Sequence, residues 1–347
     1  MMRLCTFLLI STLLSLLSMQ IEAAPHPHPA WSVGYHELTF KDPLDGRPMR
    51  ALAFYPSNES EHVTTVEGYA IEATPDARIA IGRFPMLMLS HGNGGTPLAL
   101  HDLVTSLTRK GFVVVAVFHP GDNYKDVSRL GALSNLYGRP MQISAAITAA
   151  LADPELSPFV DDKQVGVIGY SAGGETALIL SGARPDLQRL RRYCAERPDD
   201  MDACKTQGQL VADREDLKAM ADPRVHALLL MAPLGLSFGR HTLSDVHVPT
   251  LIYSGDQDQL LALDKNAGAL ARKLPMHPDF RLIPGGGHFV FTALCTDQQK
   301  AAMPGMCNDA VGVDRAQVHH DLVAQAGRFF DHELGVDGHA GMQTANQ

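Results

Sequence analysis

Short apolar runs rich in β-branched residues alternate along this chain with longer segments whose apolar positions recur at helical spacing. The runs at 85–89, 112–118, 165–168, 225–231, 250–253 and 280–283 read as strands of a mostly parallel sheet with helices packed on both faces. Between them, 98–110, closed by Gly111, and 143–153 read as helices, and 314–333 reads as a final amphipathic helix. The opening differs: 32–40 and 50–55 flank the turn Asp45-Gly46-Arg47-Pro48, which predicts an antiparallel hairpin at the sheet edge. The chain therefore reads as α/β, with a mostly parallel central sheet, helices on both faces and an N-terminal antiparallel hairpin.

Ahead of the hairpin, Arg3 precedes an apolar stretch over 7–17, which ends in Ile21-Glu22-Ala23-Ala24 before a Pro/His-rich segment. This predicts a signal peptide over 1–24 and an exported protein, periplasmic or extracellular. The alternative is an uncleaved anchor. The stretch is too short to span a bilayer, and no later run approaches eighteen uninterrupted apolar residues. Residues 25–334 read as one domain with a charged insertion at 183–223, and 335–347 as a disordered polar tail. Removing 1–24 takes away Arg3 and Glu22, so the formal net charge of −9 is kept and nucleic acid is excluded as a partner. Oligomeric state leaves no mark in the sequence.

Cys5 falls in the signal segment, which leaves Cys194, Cys204, Cys295 and Cys307, an even count suited to disulfides in an exported chain. The local pairing, Cys194–Cys204 and Cys295–Cys307, closes short loops and is preferred among the three connectivities. Structural zinc would call for a C-x-x-C pair, which is lacking. His26 and His28 read as an exposed tail, and neither a metal nor a cofactor is expected.

Candidate chemistry sits where the third parallel strand ends, in Gly169-Tyr170-Ser171-Ala172-Gly173. A sharp strand-to-helix turn of this kind exposes its serine, and the glycines on either side let strand and helix approach. A serine hydroxyl needs a histidine base oriented by a carboxylate, and in such sites the chain order is Ser, acid, His. The strand over 250–253 runs into Ser254-Gly255-Asp256-Gln257-Asp258. Either aspartate could serve; the turn favours Asp258, with Asp256 as a structural turn residue. The last strand runs into Gly285-Gly286-Gly287-His288, which makes His288 the base candidate. Oxyanion donors are expected from the N–H of Ala172 and from Ser90-His91-Gly92-Asn93-Gly94-Gly95, where Asn93 is preferred and Gly94 is its neighbour. A phosphate cradle is the other reading of that loop, but no Gly-Lys-Ser/Thr or G-x-G-x-x-G pattern accompanies it. Ligands bind outside the carboxyl ends of such strands, so the site should be bordered by 90–97, 119–140, 169–174, 232–248, 254–266 and 284–311. The insertion links a helix to a strand and starts from the opposite edge; unless it wraps around, the Cys194–Cys204 loop should not cover the site.

Phe84-Pro85 leading to Ser90-His91-Gly92, Gly111-Phe112-Val113-Val114 leading to His119-Pro120-Gly121-Asp122, the serine turn, Asp222-Pro223-Arg224-Val225, Gly255-Asp256-Gln257-Asp258 and Gly287-His288-Phe289 together resemble the bacterial dienelactone-hydrolase-like and platelet-activating-factor acetylhydrolase-like α/β-hydrolases. The resemblance covers about residues 32–332. It implies an α/β-hydrolase fold, a metal-free Ser171-Asp258-His288 triad and oxyanion amides at Asn93 and Ala172. The substrates it implies are small-molecule or lipid esters: short-chain esters, or phospholipids with short or oxidised acyl chains. Dienelactone hydrolases proper carry a cysteine where this chain has Ser171. The same triad could cleave amides or peptides, and a catalytically inactive binding relative is a third reading.

Overall fold

The computed structural model describes residues 30–200, 204 and 210–335; the expected signal segment, His26, His28 and the tail from 336 lie outside them. Strand β1 (Ser32–Lys41) pairs antiparallel with β2 (Pro48–Ser57) along its whole length, and Gly46 takes a left-handed φ of 75° in the connecting turn. Two short strands, β3 (Val63–Val66) and β4 (Tyr69–Glu72), form a separate small hairpin. The two residues of β5 (Thr74–Pro75) lie parallel to the outer side of β1.

The expected apolar runs then appear as β6 (Phe84–Ser90), β7 (Val113–Val117), β8 (Val160–Tyr170), β9 (Val225–Met231), β10 (Thr250–Gly255) and β11 (Asp279–Ile283). They join the N-terminal hairpin in one nine-stranded sheet of order β11-β10-β9-β8-β6-β7-β2-β1-β5. From β7 to β11 every neighbouring pair is parallel, while β2 meets β7 antiparallel.

The apolar runs hold these positions because both faces of each strand enter a core. In β7, Val113, Val115 and Val117 point into one cluster, and Val114 and Ala116 into the other. In β6, Met86 and Met88 face the first cluster while Leu87 and Leu89 face the second. Each side chain of this size, fully buried, contributes roughly 1.5–3 kcal/mol.

Helices cover both faces. Helix α1 (His101–Arg109) follows a single 3₁₀ turn over Pro97–Leu100 and is ended by Gly111 at φ 100°. Helix α2 (Gly138–Ala152) starts five residues earlier than its apolar spacing suggests. Then come α3 (Ala172–Leu180), α4 (Leu187–Glu196), α5 (Ala267–Lys273) and α6 (Arg315–Glu333), the last capped by Asp314, which accepts the Gln317 N–H at 3.1 Å. Residues of α2, α3 and α5 fill the first cluster; Leu103, Val104 and Leu107 of α1 and Leu322, Ala326 and Phe330 of α6 fill the second.

The insertion at 183–223 corrects one expectation, because it does wrap around. Leu190 of α4 packs with Leu234, Leu236 and Leu261, whose loops lie at the carboxyl ends of the strands. Farther along, the Val211 N–H donates to Gly131 O at 2.9 Å and Val211 O accepts from Leu133 N at 2.9 Å. The segment returns to the opposite edge at Asp222, whose N–H reaches Leu180 O at 2.8 Å. Sequence order places its two ends correctly but says nothing about its path. Both local disulfides are formed, with Cα separations of 5.4 Å for Cys194–Cys204 and 5.7 Å for Cys295–Cys307. Among the described residues no helix is long and apolar enough to cross a membrane.

Candidate active site

At the end of β8 the chain reverses into α3 through Ser171, whose φ of 56° and ψ of −118° lie in a region that non-glycine residues rarely occupy. Neighbouring backbone holds it there: Ser171 N–H donates to Met231 O at 2.9 Å, and Ser171 O accepts from Leu234 N at 3.0 Å. The flanking glycines are needed for space. A Cβ on Gly173 would lie 2.6 Å from the carbonyl carbon of Ser90, and one on Gly169 would lie 2.6 Å from that of Gly173.

Ser171, Asp258 and His288 are far apart in sequence and meet at the carboxyl edge. The Ser171 hydroxyl lies 3.0 Å from His288 Nε2, and His288 Nδ1 lies 2.8 Å from Asp258 Oδ2. The other carboxylate oxygen of Asp258 accepts the N–H groups of Leu260 at 3.0 Å and Leu261 at 2.8 Å, so both lobes are occupied. Asp256 does not reach the histidine; its Oδ1 takes the Gly285 N–H at 2.7 Å and holds the glycine turn in shape. Because Asp258 can only accept, His288 carries its proton on Nδ1 when neutral, which leaves the Nε2 lone pair facing the hydroxyl. Such an arrangement can take the serine proton as the oxygen attacks an electrophile.

Tyr170, between Gly169 and Ser171, supports this histidine. Its hydroxyl donates to His288 O at 3.1 Å, and its ring lies 5.3 Å from the imidazole, centroid to centroid. Burial first, then the negative charge of Asp258, raises the phenol pKa, so Tyr170 stays a donor.

Of the two residues expected to give an oxyanion its amides, Asn93 lines the cavity beside Ser171, and Ala172 directly follows the serine in the chain. Ala172 is the first residue of α3, where no preceding turn offers its N–H a helical partner. In the facing loop the Gly94 N–H is taken by Asp122 Oδ1 at 2.6 Å and so is turned away from an oxyanion.

Behind that loop lies a buried polar network. Asp122 Oδ2 accepts from Arg139 Nη1 at 2.6 Å and from Asn135 Nδ2 at 2.8 Å, and Arg139 Nη2 donates to Ser90 Oγ at 3.1 Å and to His91 O. Asp122 is 0 % exposed and Arg139 3 % exposed. Two buried histidines complete it in neutral form. His91 Nδ1 donates to Gly92 O at 2.7 Å while its Nε2 accepts the His119 N–H at 3.4 Å; burial, then the Arg139 guanidinium, pushes its pKa down to about 3. His119 Nδ1 donates to Gln142 Oε1 at 2.8 Å and its Nε2 accepts from Ser90 Oγ at 2.9 Å; the same two causes hold its pKa well below the ordinary value. The expected border segment 119–140 thus braces the 90–95 loop and supplies none of the lining of the cavity beside Ser171.

The cavity beside Ser171 has a volume of about 360 Å³. Leu234, Leu260, Leu261, Phe289 and Met306 supply its apolar walls, and none of its lining residues is Asp, Glu, Lys or Arg. Met306 belongs to the loop closed by Cys295–Cys307. Arg315 fastens that loop to α6 by donating to Met306 O at 2.8 Å, to Asp309 Oδ1 at 2.9 Å and Oδ2 at 2.8 Å, and to Thr292 Oγ1 at 3.2 Å. Among the described residues no group of three or more His, Cys, Asp and Glu is placed to hold a metal ion.

Sequence reasoning had no reason to single out Arg139, Tyr170 or Leu261. Asp122 carried the one available signal, a carboxylate in the turn after a buried strand.

No protein-family model matches this chain, and no curated protein matches it. Solved structures do. A ferulic acid esterase from Streptomyces cinnamoneus superposes with a TM-score of 0.64 at 20 % sequence identity, covering 90 % of this chain and 92 % of the other. At that identity the likeness establishes the fold, an esterase-like α/β fold.

Proposed function

We propose that this chain is an exported serine hydrolase that cleaves carboxylic esters through an acyl-enzyme. The observation that carries the proposal is the continuous relay from Asp258 through His288 to Ser171 Oγ, with links of 2.8 and 3.0 Å, opening onto an apolar cavity. The likeness to a solved ferulic acid esterase supports ester hydrolysis at the level of fold.

In this reading Ser171 Oγ attacks the ester carbonyl as His288 Nε2 takes its proton, and the imidazolium is steadied by Asp258. The carbonyl oxygen becomes an oxyanion between the N–H groups of Ala172 and Asn93, each such donor being worth roughly 10²- to 10³-fold in rate. His288 returns the proton to the departing alkoxide, the C–O bond breaks, and an acyl-Ser171 ester remains. Water activated by the same imidazole then releases the acid and restores the serine.

The uncharged, largely apolar lining suits a neutral acyl group and offers no cation for a carboxylate or phosphate at the reacting end. Short-chain esters and phospholipids with short or oxidised acyl chains are the first substrates, and a feruloyl ester belongs beside them. The apolar N-terminal stretch and the two disulfides support export to an oxidising compartment.

The test is hydrolysis of p-nitrophenyl esters of graded acyl length by purified protein. Ser171→Ala should lower kcat by about 10⁴-fold or more. Full activity in that variant would refute the proposal, and anilides of the same acids separate ester from amide cleavage.

A further inference from the structure

A second buried histidine–carboxylate pair lies beside the turn that carries His288, and the proposed reaction does not use it. His319, on α6 and 5 % exposed, faces Asp102 Oδ2 of α1 through Nδ1 in a short hydrogen bond, and its Nε2 lies 2.9 Å from Val290 O. Val290 sits in the single 3₁₀ turn over His288–Phe291.

Its bonding differs in kind from that of the three histidines in and behind the site. His91, His119 and His288 each face one acceptor and one donor, which a neutral ring satisfies. Both partners of His319, a carboxylate and a carbonyl, can only accept. A neutral imidazole has one N–H and would turn a lone pair toward one of the two oxygens. Only the imidazolium donates to both.

We propose that His319 is a positioning residue that works as an imidazolium, tying α1 to the carbonyl of Val290 and so fixing the turn that presents His288 to Ser171. This rests on the hydrolase reading of the site. Other bonds share the load: Tyr170 OH to His288 O, Thr292 Oγ1 to Phe289 O at 2.8 Å, and Arg315 to Thr292. These bonds are made by hydroxyls and a guanidinium, so His319 is the imidazole among them and the pH-sensitive member.

The charged groups around it favour this state on balance. Burial opposes the charge, but the hydrogen bond and negative charge of Asp102, with the Val290 carbonyl, outweigh it and raise the pKa above the ordinary value; Arg315, on the same helix, works against them. Asp102 responds in the opposite sense: burial raises its pKa, while the bond and charge of His319, followed by His101, bring it below its ordinary value. His101, beside the pair, is itself pushed down by burial and by His319, against the pull of Asp102 and Glu72. A raised pKa means that the bracket is complete below the ordinary histidine value of about 6.5 and is lost as pH climbs through the folded-state value. Activity should then show an alkaline decline as the bracket loses its second proton.

Two measurements on the full chain test this. Imidazole ¹⁵N NMR should find both ring nitrogens of His319 protonated at pH 7; a single protonated nitrogen there would overturn the proposal. Steady-state p-nitrophenyl acetate hydrolysis from pH 6 to 10 should decline at the pH where that NMR signal titrates. Asp102→Asn should flatten the decline, because an amide at 102 can donate to Nδ1 of a neutral ring. His319→Gln should lower kcat on the order of 10- to 100-fold at pH 7, with KM within twofold, since the residue lies outside the cavity wall. An unchanged alkaline decline in Asp102→Asn, or a His319→Gln kcat within twofold of the parent, would overturn it. If His319→Gln does not fold, Asp102→Asn and the NMR titration decide. Should no ester be turned over at any pH, the hydrolase reading falls, and the NMR titration still judges the charged bracket.

Discussion

Asp122→Asn isolates the support of the oxyanion loop. The side chain keeps its shape, but two oxygens that only accept become one acceptor and one donor. Oδ1 receives Gly94 N–H; Oδ2 receives Arg139 Nη1 and Asn135 Nδ2. Neither orientation of an amide satisfies this set, because its NH₂ must face either Gly94 N–H or the Arg139 and Asn135 donors. Arg139, 3 % exposed, also loses its counter-charge. Removing one partner of a buried ion pair costs about 3–5 kcal/mol. For a domain of this size the unfolding entropy is about 0.65 kcal/mol/K, so the melting temperature should fall by about 5–8 °C. Misplacing the Asn93 amide should lower kcat on the order of 10- to 100-fold with little change in KM, since the donor matters most once charge develops. Thermal unfolding by circular dichroism and p-nitrophenyl ester kinetics read the two effects. Asp216→Asn, which breaks the exposed Arg214 pair, serves as a control and should alter neither. An Asp122→Asn protein that melts within 1 °C of the parent, with kcat within twofold, would refute the assignment.

Three other outcomes follow from the same geometry. Asp258→Asn should lower kcat by about 10⁴-fold through the wrong imidazole tautomer, whereas Asp256→Asn should act mainly on stability; equal kinetic losses would contradict the separate roles. Gly173→Ala should abolish soluble expression or activity because its Cβ meets the Ser90 backbone, while Gly239→Ala, with open space around it, should behave like the parent; a folded, active Gly173→Ala protein would count against the close approach. Breaking Cys295–Cys307 in a double serine variant frees a loop held otherwise by Arg315, and kcat/KM for longer acyl chains should fall more than for acetate because Met306 lines the cavity. A uniform loss across chain lengths would show that the loop does not shape the pocket.

The legible parts of this fold are those written in local pattern. Strands β6 to β10 appear within a few residues of their apolar runs, since burial on both faces forces continuous hydrophobicity; β11, at the sheet edge, is half-exposed and is marked only by Phe280, Leu282 and Ile283. Strands β3 to β5 escape that logic: Val63–Val66 is Val-Thr-Thr-Val and partly exposed, and β5 has only two residues, so neither alternation nor length marks them. Ser171, Asp258 and His288 could be picked out because each stands at a strand end beside glycines and their order along the chain is restrictive. Arg139 and His319 could not, because their partners lie 17 to 217 residues away and helical spacing does not distinguish a buried cation from a solvated one. The path of the insertion was hidden for a similar reason, since Leu190 finds Leu234 and Leu261 only in three dimensions.

The central claim is that Ser171 is a nucleophile activated by His288. Incubating the purified chain with a fluorophosphonate and mapping the adduct by peptide mass spectrometry tests it most directly. The account predicts one adduct per chain, on Ser171, formed slowly or not at all in His288→Ala. An unmodified Ser171 in folded parent protein, or equal labelling with and without His288, would contradict it.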